Sequence, residues 1–225
     1  MISFDQVTKK FPLGNVALEK ISFDIEENEF VFLVGPSGAG KTTIIKLITK
    51  EINPTSGTII VDNFDISDKK FNQQIQLRRK IGIVFQDFKI IQDKNVFENI
   101  AISLKVINSS VKKIKEEVRM MLKFVNLTEK EKVFPVQLSA GELQRVAIAR
   151  ALIGDRKIIL ADEPTGNLDP KTAWEIMKIF KKIEGKKTII FATHNTDIVN
   201  SLKKRVIVLK NGKIFKDLRK GGYEL

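Results

Sequence analysis

The chain has 225 residues, no cysteine and a formal net charge of +12, with 39 Lys and Arg against 27 Asp and Glu. A chain of this length buries roughly 70% of its unfolded surface, so it needs no disulfide framework, and its lack of cysteine permits a reducing compartment. No run reaches the ~18 apolar residues of a membrane span, and the opening "MISFDQVTKKF" carries Asp5 and no long apolar core, so neither a spanning segment nor a secretory leader is expected. The positive charge suits polyanions. Its lysines are scattered among glutamates, as on a solvated surface, with no polybasic arm for nucleic acid.

In chain order, "ISFDQVTKKF" and "VALEKISFDIEE" alternate as strands do. "EFVFLVG" is a short continuous apolar run ending in a glycine-rich turn, the pattern of a buried strand. "KTTIIKLITKEI" reads as a helix closed by Pro54, "GTIIVDNFDIS" as a strand with a polar end, and "KIGIVFQ" as a further strand. From Phe97 to Leu127 the apolar spacing turns helical, through "VFENIAISLKVI" and "VKKIKEEVRMMLKFVNL". Then come "QLSAGELQRVAIARAL", a capped helix, and "KIILADE", a buried strand. "PKTAWEIMKIFKKIEG" is an amphipathic helix ending at Gly185, and "KTIIFATH" a buried strand. "RVIVLKNGKIFKDL" is a hairpin about Asn211 and Gly212. Strands alternating with helices predict an α/β fold with a mainly parallel sheet, antiparallel pieces at both ends and an inserted helical region. One domain over 1–225 is expected, with a helical subdomain at about 88–155.

The densest chemical signal is Gly35, Pro36, Ser37, Gly38, Ala39, Gly40, Lys41 and Thr42, which match G-x-x-x-x-G-K-[ST] between a strand and a helix; Thr43 follows. Such a loop turns backbone N–H groups onto phosphate oxygens, with Lys41 reaching the β/γ-phosphates and the Thr42 hydroxyl holding Mg2+. Asp162 ends the apolar run "IILAD", where ligands of α/β proteins bind. It is expected to hold Mg2+, directly or through water. Glu163 beside it is placed to orient or deprotonate an attacking water. His194, the one histidine, and Gln86 also end apolar strands: His194 as a γ-phosphate contact oriented by Glu163 or the backbone, Gln86 as a ligand of Mg2+ or water that also relays position to the helical region after it.

A second anion site is expected at Ser139. Ser139 and Glu142 have capping-box spacing, and Gly141 lets an anion approach the free N–H groups.

Together "GPSGAGKT", Gln86, "LSAGE", "IILADE", "GNLD" and His194 resemble the ATP-binding cassette ATPases, in their usual order and over essentially the whole chain. The resemblance implies a P-loop NTPase core, ATP and Mg2+ as cofactors, and ATP hydrolysis. It also implies a homodimer in the ATP-bound state, in which Ser139, Ala140, Gly141 and Glu142 contact ATP on the second subunit. Asn167 and Asp169, in "NLD", cross the dimer. Phe11 falls where relatives carry an aromatic that stacks on adenine; many have Tyr there, and the only tyrosine of this chain is Tyr223. Ala140 and Glu142 depart from the usual LSGGQ, and capping-box geometry turns Glu142 back toward the helix start.

"VFQDFKII" and "FPVQLSAGELQRVAIARA" resemble the FtsE group of bacterial cell-division ATP-binding proteins. That resemblance implies an FtsX-like integral membrane partner, a peripheral place on the cytoplasmic face of the plasma membrane, and control of cell-wall hydrolysis. Phe88, Ile90 and Ile91 would then form part of the groove for the partner, or else ordinary core. The same branch includes lipoprotein-release and macrolide-export ATPases, which share "ADEPTGNLD". Specific nucleic-acid binding is not expected.

Overall fold

A computed structural model of the chain describes residues 1–221, which leaves Tyr223 outside the described residues. The elements are β1 (Ile2–Lys10), β2 (Val16–Ile25), β3 (Phe30–Val34), α1 (Lys41–Ile48), β4 (Ser56–Val61), β5 (Phe64–Asp65), α2 (Gln74–Arg79) and β6 (Ile81–Phe85). They continue with α3 (Val96–Lys105), α4 (Val111–Phe124), α5 (Ala140–Leu152), β7 (Ile158–Asp162), α6 (Pro170–Ile183), β8 (Thr188–Thr193), α7 (Thr196–Leu202), β9 (Arg205–Lys210) and β10 (Lys213–Leu218).

The strands form two sheets. Four build an antiparallel sheet in the order β2-β1-β4-β5, and six build a larger one in the order β10-β9-β3-β8-β7-β6. In the larger sheet every neighbouring pair is parallel except β10 with β9. Its central strands β3, β7 and β8 are continuous apolar runs because both faces are buried, whereas the edge strand β10 is largely exposed. Phe30, Phe32 and Val34 of β3 join one core with Phe191 of β8 and Phe180 of α6. Val31 and Leu33 join the other, with α1 and the antiparallel sheet. Phe180 and Phe191 meet edge to face, their ring centroids 5.0 Å apart.

Register decides where the chemistry lands. Phe85 pairs with Asp162, Asp162 with Ala192, and Val34 with Thr193. The carboxyl ends of β3, β6, β7 and β8 therefore lie level. Each is followed at once by a polar segment: the glycine-rich loop, Gln86, Glu163 and His194.

Helix starts follow their caps. Asn95 and Glu98 form a capping box on α3, Ser110 caps α4, Ser139 and Glu142 form the box on α5, and Asp169 caps α6 ahead of Pro170. Among the described residues no helix is long and apolar enough to cross a membrane.

The expected strand "GTIIVDNFDIS" is in fact a hairpin, β4 turning into β5 at Asp62 and Asn63, with φ of 46° and 68°. Two consecutive positive φ values make the tight turn that matches strand twist, and Asn and Asp tolerate them. The helix expected to reach Pro54 stops at Ile48, because Lys50 turns left-handed (φ 53°) and its buried Nζ bonds the carbonyls of Ile66 and Asp68.

Candidate active site

The loop between β3 and α1 ends at Gly40, whose φ of 112° suits glycine. A Cβ there would lie 2.6 Å from Leu18 Cδ2 and 2.9 Å from the Ala17 carbonyl oxygen. No side chain caps α1 and its first turn has no acidic residue, so its N–H groups and the positive end of its dipole face the cleft free of a local competitor. Pro36 to Thr43 line this cleft of about 620 Å³, together with Gln86, Glu163 and His194.

Lys41 is the buried cation of the loop. Its Nζ donates to the carbonyls of Gly35 at 2.7 Å and Pro36 at 3.2 Å and lies 3.4 Å from Glu163 Oε1. The other Glu163 oxygen, Oε2, is buried without a hydrogen-bond partner and lies 3.0 Å from His194 Nδ1. One carboxylate thus lies between the lysine and the histidine. Its side chain is only 14% exposed, whereas that of His194 is 64% exposed. Glu163 itself is left-handed, with φ 50°, a strained setting for a side chain with a Cβ. The bonds from its own N–H to Ala192 O (2.9 Å) and from Gly166 N–H to its carbonyl (3.0 Å) hold it there.

A second hollow, about 530 Å³, lies on the other side of Thr42 and includes Gln86, Asp162, Glu163 and Asn167 in its lining. Burial raises the pKa of Asp162; a hydrogen bond with the Thr42 side chain opposes the shift, the charge of Glu163 adds to it, and Lys41 and Lys46 oppose it. Asp162 Oδ1 is buried without a protein partner. Gln86 Nε2 donates to Asn167 Oδ1 at 3.1 Å.

The fold therefore gathers Pro36 to Thr43, Gln86, Asp162, Glu163, His194 and Asn167 around Thr42. Phe11, Ser139, Ala140, Gly141, Glu142 and Asp169 line neither hollow. Ser139, Ala140, Asn167 and Asp169 are exposed, but Gly141 is buried. A Cβ on Gly141 would meet Thr172 Cγ2 at 2.4 Å, so this glycine permits close packing of α5 on α6. Glu142 turns back as expected: its Oε2 accepts from Ser139 N at 2.9 Å and from Ser139 Oγ at 3.1 Å, while Oε1 lies 3.4 Å from Lys130 Nζ.

Two further residues escape the sequence reading. Gln144, fully buried on α5, donates from Nε2 to the carbonyl of Pro164, next to Glu163, at 2.6 Å. Arg150 on the same helix holds the loop after Gln86. A polar side chain on the buried face of "LQRVAIARAL" is the one signal that marks Gln144.

Residues 18–166 match the family described as ABC transporter. The cell division ATP-binding protein FtsE of Bacillus subtilis (strain 168) is 47% identical over 99% of this chain and 98% of its own. FtsE of Mycobacterium tuberculosis (strain ATCC 25618 / H37Rv) is 42% identical over 99% and 98%. Among solved structures, the dimeric post-hydrolysis state of the ATP-binding cassette MJ0796 bound to ADP and Pi superposes with a TM-score of 0.87 at 35% identity, covering 99% of this chain and 100% of that one. With its glycine-rich loop, level strand ends and flanked carboxylate in the arrangement described above, the chain belongs to the ABC transporter family of ATP-binding cassette ATPases.

Proposed function

We propose that two copies of this chain close head to tail around two ATP molecules, hydrolyse them, and thereby drive an FtsX-like integral membrane protein that controls cell-wall hydrolysis during cell division. The FtsE relatives support the division role, and the dimeric MJ0796 cassette supports the assembly. The chain would sit peripherally on the cytoplasmic face of the plasma membrane. A helical subdomain over about 88–155 would meet the partner through the half-buried Phe88, Ile90 and Ile91.

The observation that carries the reading is the Glu163 carboxylate, held between Lys41 and His194 beside an uncapped helix start. Glu163 takes the proton of the attacking water. His194 keeps the carboxylate aimed through Nδ1, which leaves Nε2 to contact the γ-phosphate. Lys41 and the N–H groups of residues 38 to 43 bind the phosphate oxygens. Phe11, exposed, stacks on adenine. Ser139, Ala140, Gly141 and Glu142 form the helix start that meets the γ-phosphate held by the other copy, and Asn167 and Asp169 line the path between the two sites. ATP and ADP differ in what they offer this helix start, and that difference converts hydrolysis into opening.

Thr42, Gln86 and Asp162 fit a hard divalent cation. All offer oxygen, Asp162 Oδ1 is buried without a partner, and among the described residues no protein-only cage of three His, Cys, Asp or Glu exists. A site that shares its ligands with phosphate and water suits Mg2+. When bound, Mg2+ would neutralise charge on the β- and γ-phosphate oxygens.

The test is Glu163→Gln. ATP binding should persist, phosphate release should slow by about 10²–10⁴, and light scattering should report an ATP-dependent dimer. A monomer at saturating ATP and micromolar protein overturns the dimer, and unchanged turnover overturns the role of Glu163. Pull-down of the dimer from solubilised membranes should recover a membrane protein of the FtsX kind.

A further inference from the structure

Immediately after Gln86 the backbone does something costly. Phe88 and Lys89 are consecutive left-handed residues, with φ of 60° and 49°, and neither is glycine. Non-glycine residues take this conformation when the surroundings impose it. Local bonds supply part of the constraint: Phe88 N donates to Phe85 O at 3.3 Å, and Lys89 Nζ pairs with Asp87 Oδ2 at 2.6 Å. The rest comes from α5. Arg150 Nη2 donates to Phe88 O at 2.8 Å, and Nη1 donates to Lys89 O at 2.7 Å. One planar guanidinium thus grips both strained peptides at once.

Arg150 is half-buried, and burial alone pulls its pKa below the ordinary arginine value. No described carboxylate lies within 4 Å of it as an ion-pair partner. Its guanidinium is committed to two carbonyls of this loop. Its own carbonyl accepts from Ser103 Oγ on α3 at 3.0 Å, which fixes this part of α5 in turn. The same helix starts at Ser139 and, through Gln144, holds the carbonyl of Pro164 next to Glu163.

We propose that Arg150 is a positioning residue for Gln86: its grip on the Phe88 and Lys89 carbonyls, together with the direct bonds between Gln86 and Asn167, sets how far Gln86 projects beside Thr42. The proposal rests on the role given above to Gln86 as a ligand of Mg2+ or water.

The test is steady-state ATP hydrolysis by the full chain, titrated separately with ATP and with Mg2+, for Arg150→Ala, Arg150→Lys, Gln86→Ala and the double variant Arg150→Ala/Gln86→Ala. Arg150→Ala should lower kcat about tenfold or more, since a small misplacement near the reacting atoms is enough. It should raise the Mg2+ concentration at half-maximal rate, while ATP affinity measured without Mg2+ stays within about twofold of wild type. Arg150→Lys, which can reach one carbonyl, should recover part of both losses. The double variant should be no worse than Gln86→Ala, because both changes act through one side chain. Multiplying losses in the double variant, or wild-type kcat and Mg2+ dependence in Arg150→Ala, overturns the proposal. If Arg150→Ala does not fold, Arg150→Lys alone and combined with Gln86→Ala decides by the same comparison. Wild-type Mg2+ dependence in Gln86→Ala removes the role of Gln86 itself, and an Arg150→Ala defect beside it then shows that Arg150 acts elsewhere.

Discussion

Gln86 and Asn167, 81 residues apart, hold each other: Gln86 Nε2 donates to Asn167 Oδ1 at 3.1 Å, and Asn167 Nδ2 donates to Gln86 O at 3.2 Å. The two loops at the mouth of the second hollow thus move as a unit or separate by breaking both bonds. Both residues are exposed, so their bonds contribute at the low end of about 0.5–1.5 kcal/mol each. Asn167→Ala is expected to lower thermal stability slightly and to raise the Mg2+ requirement of hydrolysis by releasing Gln86. Asn167→Asp keeps the acceptor for Gln86 Nε2 and should lie nearer wild type. The opposite order would show that the bond to the Gln86 carbonyl is the one that matters.

Gly141 sits where α5 meets α6, not on an open surface. A methyl there would press on Thr172 Cγ2 at 2.4 Å. Alanine gains about 1 kcal/mol of helix propensity over glycine, but overpacking costs about 1–3 kcal/mol. Gly141→Ala is therefore expected to be destabilising on balance in urea unfolding. Adding Thr172→Ser removes Cγ2 and should restore stability, since the Asp169 cap of α6 uses the Thr172 backbone N–H, at 3.1 Å. Failure of the serine to rescue would mean that the steric conflict lies elsewhere.

What could be read from the sequence follows from how local each feature is. Gly35 to Thr43 are contiguous, so the loop, its strand and its helix are legible together. The apolar runs of β6, β7 and β8 announce buried strands, and their polar successors mark Gln86, Glu163 and His194. The Ser139 and Glu142 box is legible because its partners are three residues apart. Gly141 is not, since its reason lies on another helix, at Thr172. Arg150 gripping Phe88 and Lys89, and Gln86 pairing with Asn167, are likewise contacts between distant segments. The turn at Asp62 and Asn63 is different: its signal is local, but the apolar run on one side and Phe64 on the other mask a two-residue turn as one strand.

Phe11 offers its ring to solvent. It is 37% exposed, belongs to neither core, and sits in a turn closed by Phe11 N donating to Asn15 O and Gly14 N donating to Phe11 O, both at 2.9 Å. Lys9 Nζ lies 5.2 Å from the ring centroid. Loss of a base stack costs about 1–3 kcal/mol, so Phe11→Ala should weaken ATP binding roughly 5- to 150-fold. Phe11→Tyr should bind as wild type does. Inorganic triphosphate, which has no base, should bind all three proteins alike in a competition titration. Equal losses for ATP and triphosphate would place the effect in the loop and not in the stack.

Glu142 gives the start of α5 a pH dependence of known sign. The Ser139 backbone N–H lowers its pKa most; the Ser139 hydroxyl and Lys130 add to the shift, and burial opposes it. A carboxyl whose folded pKa lies below its unfolded value stabilises the fold in full above that unfolded value, about 4.3, and loses the contribution as pH falls through the folded pKa. Wild type should therefore be more stable than Glu142→Gln at neutral pH, by a margin that stays level down to about pH 5. Below that the margin should shrink, because protonated Glu142 and glutamine are both neutral acceptors for Ser139. Added salt should reduce the part owed to Lys130, at 3.4 Å, and spare the part owed to the Ser139 N–H. Thermal unfolding of both proteins between about pH 3 and 7 measures the margin directly. A margin that does not change with pH would mean that Glu142 acts at the helix start by shape alone, with its charge turned out of reach of the N–H groups it caps.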